Sequence, residues 1–307
     1  KIINNYLSKD KIKNNYSIAY KNKNYIISGT TYDGINLLDN MFENNDENFF
    51  DIFENLNNKI IVELKQAYID QVNYLYDLKA SIELNKNKIK NLVLDSNLSD
   101  DKELKLTINT TKNGEKVTTV FSNYPKPLVS RYKFIKGFEN GILDLQSIKK
   151  NNVSKSVLKI DNFKVKEVPA LAKLLSLASL QGIADTLTGE GIRFTDFEMI
   201  FSNENNLITI EEIYAIGPAI SILMEGYIEK NNLISLRGTL VPARTINRTI
   251  SSIPLIGNIL VGKKVGEGVF GVSFKIKGPP KNLKTTVNPI KTLTPRFITR
   301  TLEKIKK

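Results

Sequence analysis

The 307-residue chain contains neither cysteine nor histidine. Without a thiol it has no thiolate nucleophile, no Cys/His zinc site and no disulfide. Without an imidazole it has neither a histidine general base nor a Ser-His-Asp triad. The absence of disulfides fits a reducing cytosol and equally a periplasmic protein that does without them. Also missing is any uninterrupted run of about 18 apolar residues, the length at which a helix spans a bilayer. No signal-peptide pattern is visible at the start. The chain opens on Lys1, in the middle of polar strand-like sequence, and we expect it to be a segment of a longer protein. Asn, Lys and Ile are heavily used, as in proteins of A+T-rich genomes. The Asn pairs at Asn44-Asn45, Asn151-Asn152 and Asn205-Asn206 read as loops with that bias.

Acidic charge is scarce in one region only. From Ala243 to Lys307 there are 14 basic residues against Glu267 and Glu303, whereas the first 242 residues hold 30 of each sign. The whole formal charge of +12 therefore sits in the last fifth of the chain. A basic end on a neutral body suits an anionic partner such as a phospholipid headgroup, lipid A phosphate or nucleic acid; a solubilising tail is the alternative.

What the chain has in abundance is two-residue alternation. Ile220, Ile222, Met224 and Ile228 share one side of a strand, with Ser221, Glu225 and Glu229 on the other. Ile234, Leu236 and Leu240 oppose Ser235, Arg237 and Thr239. Phe270, Val272, Phe274 and Ile276 oppose Ser273, Lys275 and Lys277. Successive strand side chains point to opposite sides, so each pattern makes one apolar and one wet face.

The same reading sets out the other elements. A strand is expected at Tyr25–Thr31, helical spacing at Ile35–Phe53, and six strand candidates between about Tyr25 and Ser122. Asn113-Gly114 signals a type I′ hairpin. A short helix at Pro127–Phe138 precedes strands at Ile142–Ile148 and Val157–Val165. Pro169 opens a helix to about Leu187, apolar nearly all round, which either plugs the core of a curved sheet or also touches an acyl chain. Four strands follow at Ile192–Phe201, Leu207–Ile216, Ile220–Glu229 and Leu233–Val241, an antiparallel meander by their lack of interposed helices. A helix at Arg244–Ile253, a last strand at Val269–Lys277 and a C-terminal helix from Thr294-Pro295 complete the chain.

Several of these residues carry a family likeness. Leu236-Arg-Gly-Thr-Leu-Val-Pro-Ala243, Ile253-Pro-Leu-Ile-Gly-Asn-Ile-Leu260, Gly266-Glu-Gly-Val-Phe-Gly271 running on to Pro279, and Val287-Asn-Pro289 resemble the C-terminal region of AsmA-like proteins, closest to the YhdP-type branch. The likeness is specific from about Val157 to Pro295; Arg131–Leu145 is a degenerate counterpart. The resemblance implies an envelope protein of diderm bacteria, held to the inner membrane by an N-terminal helix that this chain lacks. It further implies a long β-rich periplasmic body with an apolar groove, acting in phospholipid movement toward the outer membrane and in outer-membrane integrity. No catalytic residues are implied.

Two motifs mislead. Gly266-Glu-Gly-Val-Phe-Gly271 matches G-x-G-x-x-G, but a dinucleotide site needs a helix directly afterwards and strand-like alternation follows instead. Glu211-Glu212 cannot easily act as paired carboxylates, because neighbours on a strand face opposite ways.

The expectation is a β-rich α+β fold: a long, curved, groove-like antiparallel sheet with a few short helices packed in or against it. Residues 1–150 form one β-rich groove segment, 151–291 the AsmA-like segment and 292–307 a basic amphipathic helix. Lipid would lie along Leu171, Leu175, Leu180, Ile220, Ile222, Met224, Ile234, Leu236, Leu240, Phe270, Val272 and Phe274. The C-terminal helix would place Phe297, Ile298, Leu302 and Ile305 toward a membrane surface, with Arg296, Arg300 and Lys304 on its cationic side. No cofactor, metal, catalytic residue or nucleic acid is expected, and the partners are phospholipid, a membrane surface and an envelope protein. The second reading is an envelope scaffold that binds an anionic partner through its basic end.

Overall fold

The computed structural model describes residues 1–35, 57–130, 136–230, 232–242, 271–280 and 282–290. Most of them lie in sixteen strands: β1 (Ile2–Leu7), β2 (Lys13–Lys21), β3 (Asn24–Asp33), β4 (Lys59–Tyr68), β5 (Tyr74–Asn85), β6 (Lys88–Ser99), β7 (Lys102–Thr110), β8 (Lys116–Ser122), β9 (Lys136–Lys150), β10 (Val153–Lys166), β11 (Ile192–Glu204), β12 (Leu207–Ile216), β13 (Ile220–Glu229), β14 (Leu233–Pro242), β15 (Gly271–Gly278) and β16 (Lys284–Ile290). Three short helices join them: α1 (Lys126–Val129), α2 (Pro169–Leu177) and α3 (Gln181–Thr188). The strands hydrogen-bond in chain order, β1 through β16, as one open sheet. The fold is therefore β-rich, with few helices, as the alternation predicts.

One described pair departs from the meander. β3 and β4 run parallel, with Ile27 beside Val62 and Thr31 beside Gln66. A parallel neighbour needs a return connection of a dozen residues or more, and residues 34–58 lie between the two strands.

The chain divides into two compact units that interleave along the β9–β10 hairpin. Residues 1–131 and 140–157 form the first; residues 132–139 and 158–307 form the second. The first has its core along one side of β4–β9, where Leu64, Leu92, Leu104, Leu106 and Val120 are buried. Ile60 and Leu84 anchor a cluster there with Tyr25, Ile27, Val62, Ile82 and Ile89. In the second unit, Phe138, Phe163 and Phe194 stack across β9, β10 and β11 at centroid spacings of 5.4 Å, a ladder of cross-strand aromatic pairs.

Several expectations need correction. The helix expected over Pro169–Leu187 is two helices, α2 and α3, separated at Ala178–Leu180. Ser179 takes a left-handed φ of 59°, which a continuous helix cannot contain. The helix expected at Pro127–Phe138 is the single turn α1, and Phe138 belongs to β9. Asn113-Gly114 does not make a type I′ turn, which needs positive φ at both residues; Gly114 has it (77°) and Asn113 does not. Gly114 N–H donates to Thr111 O (3.0 Å) and Thr111 N–H to Glu115 O (2.8 Å), so the loop has three residues, with the glycine in the left-handed position. β16 was not anticipated; its alternation is short and contains Pro289. The helical spacing at Ile35–Phe53 falls almost wholly outside the described residues, and the helices at Arg244–Ile253 and from Thr294 lie outside them entirely, as does Phe270.

Within the second unit, α2 follows β10 yet lies against β16. Six strand spacings of about 4.8 Å would separate β10 from β16 by about 29 Å in a flat sheet. A nine-residue helix is only about 14 Å long. The strands from β10 to β16 therefore do not lie flat, a curvature that the right-handed twist of strands supports.

Candidate functional site

Pairing registers show which side chains form continuous surfaces. In the first unit a single row runs Ile2, Ile18, Ile27, Val62, Ala80, Leu94, Leu106, Val120, Leu145 across nine adjacent strands, each residue directly opposite the next. A second row beside it runs Tyr20, Tyr25, Ile60, Ile82, Leu92, Ile108. The alternate positions carry charge: Glu63 lies opposite Lys79, Lys79 opposite Asp95, and Asp95 opposite Lys105. Such directly opposed unlike charges favour this register.

The second unit repeats the arrangement. Phe197, Ala215, Ile222, Leu240 and Val272 form one row across β11–β15. Met199, Ile213, Met224, Gly238, Phe274 and Val287 form the next. Leu236 continues the surface between Gly226 and Ile276, and Ile234 lies opposite Ile228. The opposite side carries Glu225 and Arg237, whose Nη2 lies 2.8 Å from Glu225 Oε1.

The strand residues expected to meet lipid are thus brought together as adjacent rows, Phe270 lying outside the described residues. Their exposure separates them. Ile220 and Leu240 have no accessible surface, and Val272 and Phe274 are buried. Ile222, Met224, Ile234 and Leu236 are half-buried and keep surface that a ligand could cover. Leu175 on α2 is fully enclosed, whereas Leu171 and Leu180 are half-buried. Gly238 is needed in its row: a Cβ there would meet the Leu223 carbonyl oxygen and stand 2.8 Å from Cζ of Phe274. The Phe274 ring thus covers the gap that glycine leaves.

Sequence reading missed Phe197, Met199, Ile213 and the whole row of the first unit as one surface. The alternation within each strand was the available signal, but joining strands into rows needs the registers. It also missed a one-residue slip in β12. Ile213 pairs with Met224 and Ile210 with Gly226, so Glu211 and Glu212 occupy a bulge. Glu211 is exposed and Glu212 buried. This keeps Ile208 and Ile210 in line with Ile213 despite the extra residue. On the same side Asn203, opposite Ile208, has a buried Oδ1 without a hydrogen-bond partner among the described residues.

Polar groups in the second unit act within the sheet. Glu139 receives Lys164 Nζ at 3.0 Å and Lys166 Nζ at 3.6 Å. The hydrogen bond from Lys164 and the charge of both lysines hold the carboxyl below its usual range. In the first unit, burial pushes the Tyr16 hydroxyl pKa up, and a hydrogen bond with Tyr6 adds to it. Among the described residues no group of three or more Asp or Glu side chains is arranged to hold a metal ion, and no helix is long and apolar enough to cross a membrane.

Comparison with known proteins adds no relative. No family model matches the chain, and neither a curated protein nor a solved structure matches it.

Proposed function

We propose that this chain is a non-enzymatic lipid-handling protein of the bacterial envelope, which presents apolar sheet surfaces along which phospholipid moves between inner and outer membrane. The observation that carries this reading is the half-buried set Ile222, Met224, Ile234 and Leu236, lying in continuous rows with charge confined to the opposite side. Covering apolar surface with an acyl chain is favourable by about 25 cal/mol per Å² and needs no directional contact. A row that crosses six strands offers a path and not a single binding point. The resemblance to AsmA-like proteins supports the same reading, and with it a periplasmic location tethered to the inner membrane.

The test is native mass spectrometry of the gently extracted chain. Co-purified phospholipid is expected with the wild type and lost in Ile222→Asp, while circular dichroism shows unchanged strand content. A folded, lipid-free wild type would overturn the proposal.

A second reading has its own support in the 14 basic residues from Ala243 onward. In it the body is a scaffold and the basic end binds an anionic envelope component.

A further inference from the structure

Away from these rows, the first unit has an open cavity of about 590 Å³ between the β1–β2 hairpin and β4. That volume is within the range of small-molecule sites. Lys9, Lys11 and Lys13 line one wall; Thr31, Gln66 and Tyr68 line another, and Gln71 lies on the rim loop. Asn15 is opposite Thr31 and Thr31 opposite Gln66, so Lys13, two residues from Asn15, projects to the side of Thr31 and Gln66. Tyr16 and Ile18 alternate to the other side. The cavity therefore opens on the face away from the apolar row.

The three lysines, against the single Asp10, give this cavity its net positive charge. Some lysines of this unit are paired, Lys90, Lys105 and Lys150 with Glu83, Glu103 and Glu115. Among the described residues Lys9, Lys11 and Lys13 pair with no carboxylate, although Asp10 shares the wall. The first 23 residues hold six lysines and one aspartate, a local excess that the neutral average of the body conceals.

The walls are held in place by hydrogen bonds of their own. Ser8 N–H donates to Ile12 O (2.9 Å) and Ile12 N–H to Ser8 Oγ (3.2 Å), with Lys11 in the left-handed region at φ 62°. Asn14 is fully buried behind the hairpin, where Nδ2 donates to Ile12 O (3.4 Å) and Oδ1 accepts from Asp33 N–H (2.8 Å). Across the cavity, Asp70 accepts from the backbone of Val72 (2.7 Å) and Asn73 (2.6 Å) and so fixes the loop that carries Gln71. Both loops are thus set before any ligand arrives, which lowers the entropy lost on binding.

We propose that this cavity binds a phosphorylated polyol, with the phosphate at Lys9, Lys11 and Lys13 and the hydroxyls at Gln66, Gln71, Thr31 and Tyr68. Compact ammonium groups suit a phosphate as point charges. The amides and hydroxyls both donate and accept, as neighbouring alcohol groups require. The ligand is either a soluble polyol phosphate or the glycerophosphate headgroup of a lipid. The site does not depend on the lipid-path reading, since it lies on the other face.

Calorimetric titration of the full chain tests it, with glycerol 3-phosphate, inorganic phosphate and glycerol as probes. Glycerol 3-phosphate is expected to bind, at least about tenfold more tightly than inorganic phosphate, and glycerol not at all. The variant K9Q/K11Q/K13Q should weaken glycerol 3-phosphate about tenfold, the sum of three exposed charge contacts, and K9R/K11R/K13R should restore it. Monodisperse dihexanoyl phosphatidylglycerol, which forms no bilayer, separates the two sources. Binding that is lost in K9Q/K11Q/K13Q supports the headgroup, and no binding supports the soluble ligand. Equal binding of inorganic phosphate, or an unchanged affinity in the glutamine variant, would overturn the proposal. The three lysines are exposed, so the variants should fold as the wild type does.

Discussion

Ile222 and Gly238 mark the two limits of what one residue reveals. Ile222 sits in an alternating run, and its placement on the apolar side follows from strand geometry alone. Nothing local explains Gly238, whose missing side chain makes room for the Phe274 ring of the next strand. Glu139 is of the second kind: its partners Lys164 and Lys166 are distant in sequence and meet it through the β9–β10 hairpin. The depressed carboxyl pKa of Glu139 has a consequence for stability. Its contribution is intact above the unfolded glutamate value of about 4.3 and is lost as pH falls through the lower folded value. Glu139→Gln should therefore lower the melting temperature at pH 7 and have a smaller effect as the pH is taken well below 4. An equal deficit at every pH would show that the ion pairs are not its cause.

At the scale of elements, strands were legible and helix ends were not. The six strands β3–β8 and the meander β11–β14 follow from period-two patterning. The apolar run from Pro169 carries no equivalent mark of its interruption, because Ser179 is an ordinary helix residue unless packing requires the left-handed turn. α2 follows β10 and lies against β16, so it joins two strands far apart in the order of the sheet. Leu175 has no exposed surface there. Leu175→Ala should destabilise the protein by about 2–5 kcal/mol, the usual loss for a large core side chain replaced by alanine, read from urea unfolding. A loss well under 1 kcal/mol would mean that α2 does not brace the strands.

For the molecule as a whole, charge and apolar surface are distributed differently. The rows of the two units supply extended apolar faces, while 14 of the 44 basic residues lie beyond Pro242. Basic groups near an anionic bilayer each contribute about 1 kcal/mol, an effect that fades over a Debye length of about 8 Å at physiological salt. We expect the chain to sediment with anionic vesicles, the binding to weaken with salt, and truncation after Pro295 to remove most of it. Equal sedimentation of full-length and truncated chains would exclude a membrane role for those last residues.

Composition and alternation suffice for the chemistry the chain lacks, for its β-rich class and for the apolar side of most strands. These are local properties: a strand's two faces are assigned by its own residues, whatever lies beside it. Strand partnership is different. The parallel β3–β4 pair, the slip at Glu211-Glu212 and the capture of α2 by β16 depend on hydrogen bonds and packing between residues far apart in the chain. The lysine cavity belongs to the same class, since Lys9, Lys11 and Lys13 meet Gln66 only because β2, β3 and β4 are neighbours in the sheet.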